Sequence, residues 1–167
     1  MNIPKNKIKR ILTHFLLLFL LYILQTSVFT HIRLFGVFPL ILPLAVVGIG
    51  LFEDGLNGGI WGIVAGLLCD ISLADSGVLF TVSLAAIGFF TGFLSEFILA
   101  RGFPTYSLLS LLVLAVLSFL QMFQYLIFDN VSFKILSRVA LNQILYSALF
   151  IIPVYYPVKR VARKNRG

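Results

Sequence analysis

A chain of 167 residues that is 60% hydrophobic and only 11% charged is too apolar for a soluble domain of its size, where about a quarter of the residues carry charge, and it must use lipid as its solvent. Its net charge of +7 does not point to nucleic acid. Nine of the thirteen basic residues lie at the ends, Lys5, Lys7, Lys9 and Arg10 before the first apolar run and Lys159, Arg160, Arg163, Lys164 and Arg166 after the last. That placement fits the positive-inside rule and attraction to anionic lipid headgroups.

A hydrocarbon core about 30 Å thick takes roughly twenty helical residues to cross. Windows of that length give six candidate spans, at 11–29, 36–52, 56–71, 78–99, 106–128 and 139–158. They make residues 11–158 a single transmembrane domain between a basic cytoplasmic N-terminus at 1–10 and a basic cytoplasmic C-terminus at 159–167. Basic residues followed by an apolar run also have the form of a signal peptide, but this run is long enough to span and no small-x-small cleavage site follows it. The second span contains Pro39 and Pro43 and the last contains Pro153 and Pro157, so both helices are expected to bend. The third span is short, glycine-rich and closed by Asp70, which raises a re-entrant arm as the rival reading. Charge decides between the two. Six spans put ten Lys and Arg on the cytoplasmic side and three outside, whereas a re-entrant third segment puts six inside and seven outside. The expected fold is an all-α polytopic membrane protein, a bundle of six transmembrane helices with both termini cytoplasmic.

In the third span Gly58, Gly62, Gly66 and Asp70 recur at steps of four, and in the fourth Gly88, Gly92 and Glu96 do the same. Residues so spaced share one helix face. Small ones let two backbones approach closely, and each acid inherits the face that meets protein. These glycines either pack the third helix on the fourth or form a docking surface. Asp70 and Glu96 fall at opposite ends of the helix pair, so they share neither a proton nor a metal. An ionisable group in a span costs about 2.5 to 3.5 kcal/mol at the centre and less near the interface, so Asp70 needs partners. It is either a structural anchor, on backbone donors near Gly77 or on Ser72 or Ser76, or a contact residue for another protein. Gln121 and Gln124 in the fifth span, with Asn142 and Gln143 in the sixth, exchange interhelical hydrogen bonds of about 1 kcal/mol each or line one wall of a polar cavity.

Catalytic constellations are missing from the sequence. The single cysteine, Cys69, excludes an intramolecular disulfide and a multi-thiolate metal site. His14 and His31 flank opposite ends of the first span without metal-ligand spacing, and no histidine or lysine stands near a serine within the spans. Asp70 and Asp129 are a candidate pair for an intramembrane aspartyl protease, but the asparagine-containing blocks of lipoprotein signal peptidases are absent around them. Neither enzymatic activity, a metal nor a cofactor is expected.

The segments FPLILPLAVVGIGLF, GGIWGIVAGLLCDI and SGVLFTVSLAAIGFFTGFL resemble the rod shape-determining protein MreD family of bacterial inner-membrane proteins. In that family a glycine-studded helix ending in G-L-L-x-D leads, through a short loop with glycine, into another helix with spaced glycines. The matching positions are Gly62, Gly66, Leu67, Leu68, Asp70, Gly77, Gly88 and Gly92. Leu40 departs from the pattern, standing after Pro39 where many members carry a polar residue. The resemblance implies a non-enzymatic scaffold of the cell-elongation machinery that anchors MreC in the cytoplasmic membrane. MreB filaments, a RodA-type glycosyltransferase and a class B penicillin-binding protein belong to the same assembly, which supports peptidoglycan synthesis and rod shape. The family is also similar in fold to the substrate-binding subunits of energy-coupling-factor vitamin transporters. That similarity supplies the alternative function, in which Asp70 and the fifth-span glutamines line a vitamin pocket and the small-residue stripes dock a coupling protein.

Overall fold

The computed structural model describes residues 5–28, 39–72, 78–97, 102–128 and 133–164. Among the described residues the regular structure is all helix: α1 (Lys5–Ile23), α2 (Ile41–Phe52), α3 (Gly55–Ser72), α4 (Leu79–Phe97), α5 (Phe103–Phe128), α6 (Phe133–Ala148) and α7 (Ile151–Lys164), with a π-helical turn at Leu24–Val28 continuing α1. Four stretches are long and apolar enough to cross a membrane, Ile8–Ser27, Gly55–Ser72, Leu79–Phe97 and Phe103–Leu126, and the bent pair α6–α7 passes the same test when its two helices are taken together as one broken span. Their outer faces carry large exposed apolar residues, such as Leu12 and Leu16 on α1, Phe90 and Phe97 on α4 and Leu108 and Phe119 on α5. A water-soluble fold would bury these, so the chain is a multi-pass membrane protein.

The core is built around α2. All twelve of its residues are buried, against α1, α3, α4, α5 and α7. A helix apolar on every side belongs inside a bundle, and at about 18 Å long it is too short to cross the hydrocarbon alone. Its prolines explain the difference from the expected span of 36–52. Pro39 precedes the helix and Pro43 sits in its first turn, where a missing N–H removes no intrahelical bond. The prolines therefore start the helix instead of bending it; residues 36–38 lie outside the described residues.

The expected last span, 139–158, is two helices meeting at 50°. The ring of Pro153 crowds the carbonyl of Leu149, four residues back, and offers it no N–H. The chain accordingly breaks at Leu149–Phe150, and the break is closed by Phe150 N donating to Ser147 O at 3.0 Å and Val154 N donating to Phe150 O at 3.1 Å. In place of six similar spans, the described residues hold four long helices, one short central helix and one bent pair.

Candidate functional site

The glycine faces of α3 and α4 meet backbone to backbone. A Cβ added to Gly62 would run into the Leu84 carbonyl, one on Gly66 into the Thr81 backbone, and one on Gly88 into the Gly58 carbonyl. At Gly92 it would lie 2.6 Å from the Cα of Gly55. α2 joins the same seam, since a Cβ on Gly58 would stand 2.9 Å from the Cα of Gly50, and one on Gly50 2.8 Å from the Gly88 carbonyl oxygen. Three helices thus touch at Gly50, Gly58 and Gly88, closer than any side chain permits. Gly50 lies on the preceding helix and Gly55 falls off the four-residue step, so only the packing reveals them.

Each acid at the end of one helix caps the start of the other. Asp70 Oδ1 accepts from the Phe80 amide at 3.1 Å, and its Oδ2 accepts from the Thr81 amide at 2.8 Å and the Thr81 hydroxyl at 2.6 Å. At the other end of the hairpin, Glu96 Oε1 accepts from the Gly55 amide at 3.4 Å. An antiparallel pair favours this arrangement because a carboxylate disfavoured at its own helix C-terminus meets the free amides of its neighbour's N-terminus. Ser72 donates to the Leu68 carbonyl at 3.0 Å; Gly77 and Ser76 lie outside the described residues.

Where α2 gives way to α3, the Glu53 side chain is only 3% exposed. Arg10 grips it with two nitrogens, Nη2 at 2.9 Å from Oε2 and Nε at 3.3 Å from Oε1, while His14 Nε2 lies 3.0 Å from Oε1. His14 Nδ1 is 2.9 Å from the Arg10 carbonyl, which only accepts, so Nδ1 carries a hydrogen. A proton on Nε2 as well turns the contact with Glu53 from opposed lone pairs into an ion pair. The imidazole stacks on Trp61, with centroids 5.4 Å apart. Burial by itself raises the Glu53 carboxyl, but the hydrogen bonds and charges of His14 and Arg10 outweigh it and hold the group below its ordinary value. The cluster ties α1 to the α2–α3 turn, beside a cavity of about 310 Å³ lined by Arg10, Ile11, Asn57 and Trp61.

The start of α2 is closed by side chains from three other elements. Gln25 Oε1 accepts from the Ile41 and Leu42 amides at 3.0 and 3.1 Å, the Leu40 amide donates to Ser147 Oγ at 2.9 Å, and the Tyr106 hydroxyl donates to the Leu44 carbonyl at 3.1 Å. Gln25 lies in the π-helical turn and is buried. Of the four polar residues expected on the last two spans, Gln143 on α6 is buried, while Gln121 and Gln124 on α5 and Asn142 on α6 are half-buried. The cavities at Arg10 and at Tyr156 do not include them. No three of His, Cys, Asp and Glu gather as a metal site among the described residues; His31 and Asp129 lie outside them. No family model, curated protein or solved structure matches the chain.

Proposed function

We propose that this protein is a non-enzymatic scaffold of the bacterial cell-elongation machinery, of the kind the MreD resemblance implies, which anchors MreC beside peptidoglycan synthases and MreB filaments. The α3–α4 hairpin carries this reading. The residues on which the resemblance rests and that the structure describes, Gly62, Gly66, Leu67, Leu68, Asp70, Gly88 and Gly92, all belong to one hairpin, backbone-packed at its glycines and capped by its acids. Its outward residues, Ile60, Ile63 and Leu67 on α3 with Val82, Phe89, Phe93 and Phe97 on α4, are apolar and exposed. A hairpin of fixed shape with such a surface suits the holding of a partner's membrane helix.

In this reading the chain makes six crossings, with α2 together with its flanking residues as the enclosed one and α6–α7 as the bent one. Both basic ends then share a side, which the positive-inside rule makes the cytoplasm. The test is affinity purification of the tagged protein from its native membrane in mild detergent, with copurifying proteins identified by mass spectrometry. Recovery of MreC with peptidoglycan synthases is the expected result. Recovery of ATPase subunits with a coupling membrane protein would replace the scaffold with a vitamin transporter subunit.

A further inference from the structure

The second cavity, about 770 Å³, is lined by Tyr156, Pro157, Lys159 and Arg160 on α7. Two of these four residues are cations, and one is held in place. Lys159 Nζ donates to the Tyr155 hydroxyl at 2.8 Å and stands 4.9 Å above the same ring. Tyr155 is itself fixed, being 4% exposed and packed on Phe103 and Tyr106 with centroids 5.1 and 5.2 Å away. Ordering a free lysine around a ligand has a large rotamer cost, which this anchoring reduces. An ammonium has three donors and Tyr155 takes one. Arg160 adds a planar fork that matches two oxygens of a phosphate.

The surrounding charge has one sign. From residue 130 to the end of the chain there are seven Lys and Arg and no Asp or Glu. The cavity also borders apolar surface, because Ile152 and Tyr156 on α7 are 58% and 67% exposed on the second half of a bent membrane crossing. A tyrosine and cations that follow an apolar stretch form the pattern of a membrane–water interface. The volume lies in the range of about 300 to 1,000 Å³ usual for small-molecule sites, larger than a lone inorganic phosphate fills. We propose that this cavity binds the phosphate of an anionic membrane lipid, with Lys159 and Arg160 taking the phosphate oxygens and Tyr156 lying along the glycerol. The site is independent of the scaffold reading.

The test uses full-length protein in phosphatidylcholine nanodiscs doped with phosphatidylglycerol, followed by native mass spectrometry of the lipid retained. Inorganic phosphate is added as a separate probe. The expected result is retained phosphatidylglycerol that phosphate does not displace, and that falls about tenfold in the Lys159→Gln/Arg160→Gln variant. The Lys134→Gln/Arg138→Gln variant, which removes the same charge elsewhere, leaves it unchanged. Equal loss in both double variants would overturn the proposal in favour of diffuse attraction, as would equal retention of phosphatidylcholine. Displacement by phosphate would reassign the cavity to a soluble anion. Arg160→Gln alone, at an exposed residue, leaves the Lys159–Tyr155 bond in place, and it must also lower retention if the double variant proves misfolded.

Discussion

One carboxylate oxygen of Asp70 accepts from both the amide and the hydroxyl of Thr81, at 2.8 and 2.6 Å. With the Phe80 amide on the other oxygen, the end of α3 becomes the cap of α4. Removing such a cap costs about 0.5 to 2 kcal/mol in water, and amides freed inside lipid have no water to turn to. Asp70→Ala is therefore expected to lower the unfolding temperature in detergent, with Asp70→Asn, which keeps one acceptor oxygen, in between. Cys69 is the only thiol and is fully buried, so a thiol-reactive dye reports the transition directly. An unchanged labelling midpoint in Asp70→Ala would show that the cap does not contribute to stability.

The two glycine neighbourhoods on α3 predict opposite responses to the same substitution. At Gly59 an added Cβ meets Phe89 Cβ at 3.4 Å, an ordinary contact, whereas at Gly62 it collides with the Leu84 backbone carbonyl. Gly59→Ala is expected to be neutral or stabilising, since alanine is favoured over glycine by about 0.5 to 1 kcal/mol in a helix interior. Gly62→Ala must instead push α3 off α4, at the cost of about 1 to 3 kcal/mol typical of overpacking. The same Cys69 melt in the two variants checks the prediction, and equal midpoints would mean that the seam is looser than its geometry.

What could be read in advance follows from what is local. A step of four residues encodes a helix face, so Gly58, Gly62, Gly66 and Asp70 announced a packed stripe before any coordinates. Glu53 gave no such signal. It stands in the turn sequence Glu-Asp-Gly, and Arg10 is 43 positions away, so burial and pairing arise only when α1 docks. Arg10 itself is one of four basic residues before the first apolar run, where positive-inside placement already accounts for it. The prolines were visible but their effect was not, because whether a proline starts or breaks a helix depends on where the first turn begins. No sequence pattern marks the π-helical turn that directs Gln25 at α2.

Gln25 is predicted to matter more than the glutamines of α5. Its Oε1 accepts from two buried amides, those of Ile41 and Leu42, and a buried donor left without a partner costs about 1 to 3 kcal/mol. Gln121 is half-buried on α5. Gln25→Ala should lower the melting midpoint well below that of Gln121→Ala. Hydrogen exchange of the Ile41 and Leu42 amides, slow in the parent protein, should rise in the Gln25 variant alone; exchange that stays slow there would place their acceptor elsewhere.

Glu53 sets the expected dependence on pH. Its carboxyl has an ordinary value of 4.5, which burial alone raises, but the bonds and charges of His14 and Arg10 prevail and lower it. The folded protein therefore releases this proton at lower pH than the unfolded chain does. In the acidic range the unfolded chain binds more protons, so stability rises with pH. The contribution is complete above the ordinary carboxyl value and is lost as pH falls through the lowered one. Unfolding temperature should accordingly drop as pH is taken below 4.5. Glu53→Gln should melt earlier at neutral pH, because Arg10 loses its counter-charge, and should respond less to acid. Breaking a buried pair costs about 3 to 5 kcal/mol, but Arg10 is 35% exposed, so Arg10→Gln, which leaves His14 in place, should be the milder change. If Glu53→Gln keeps the parent's full acid slope, the responsible carboxylate lies elsewhere.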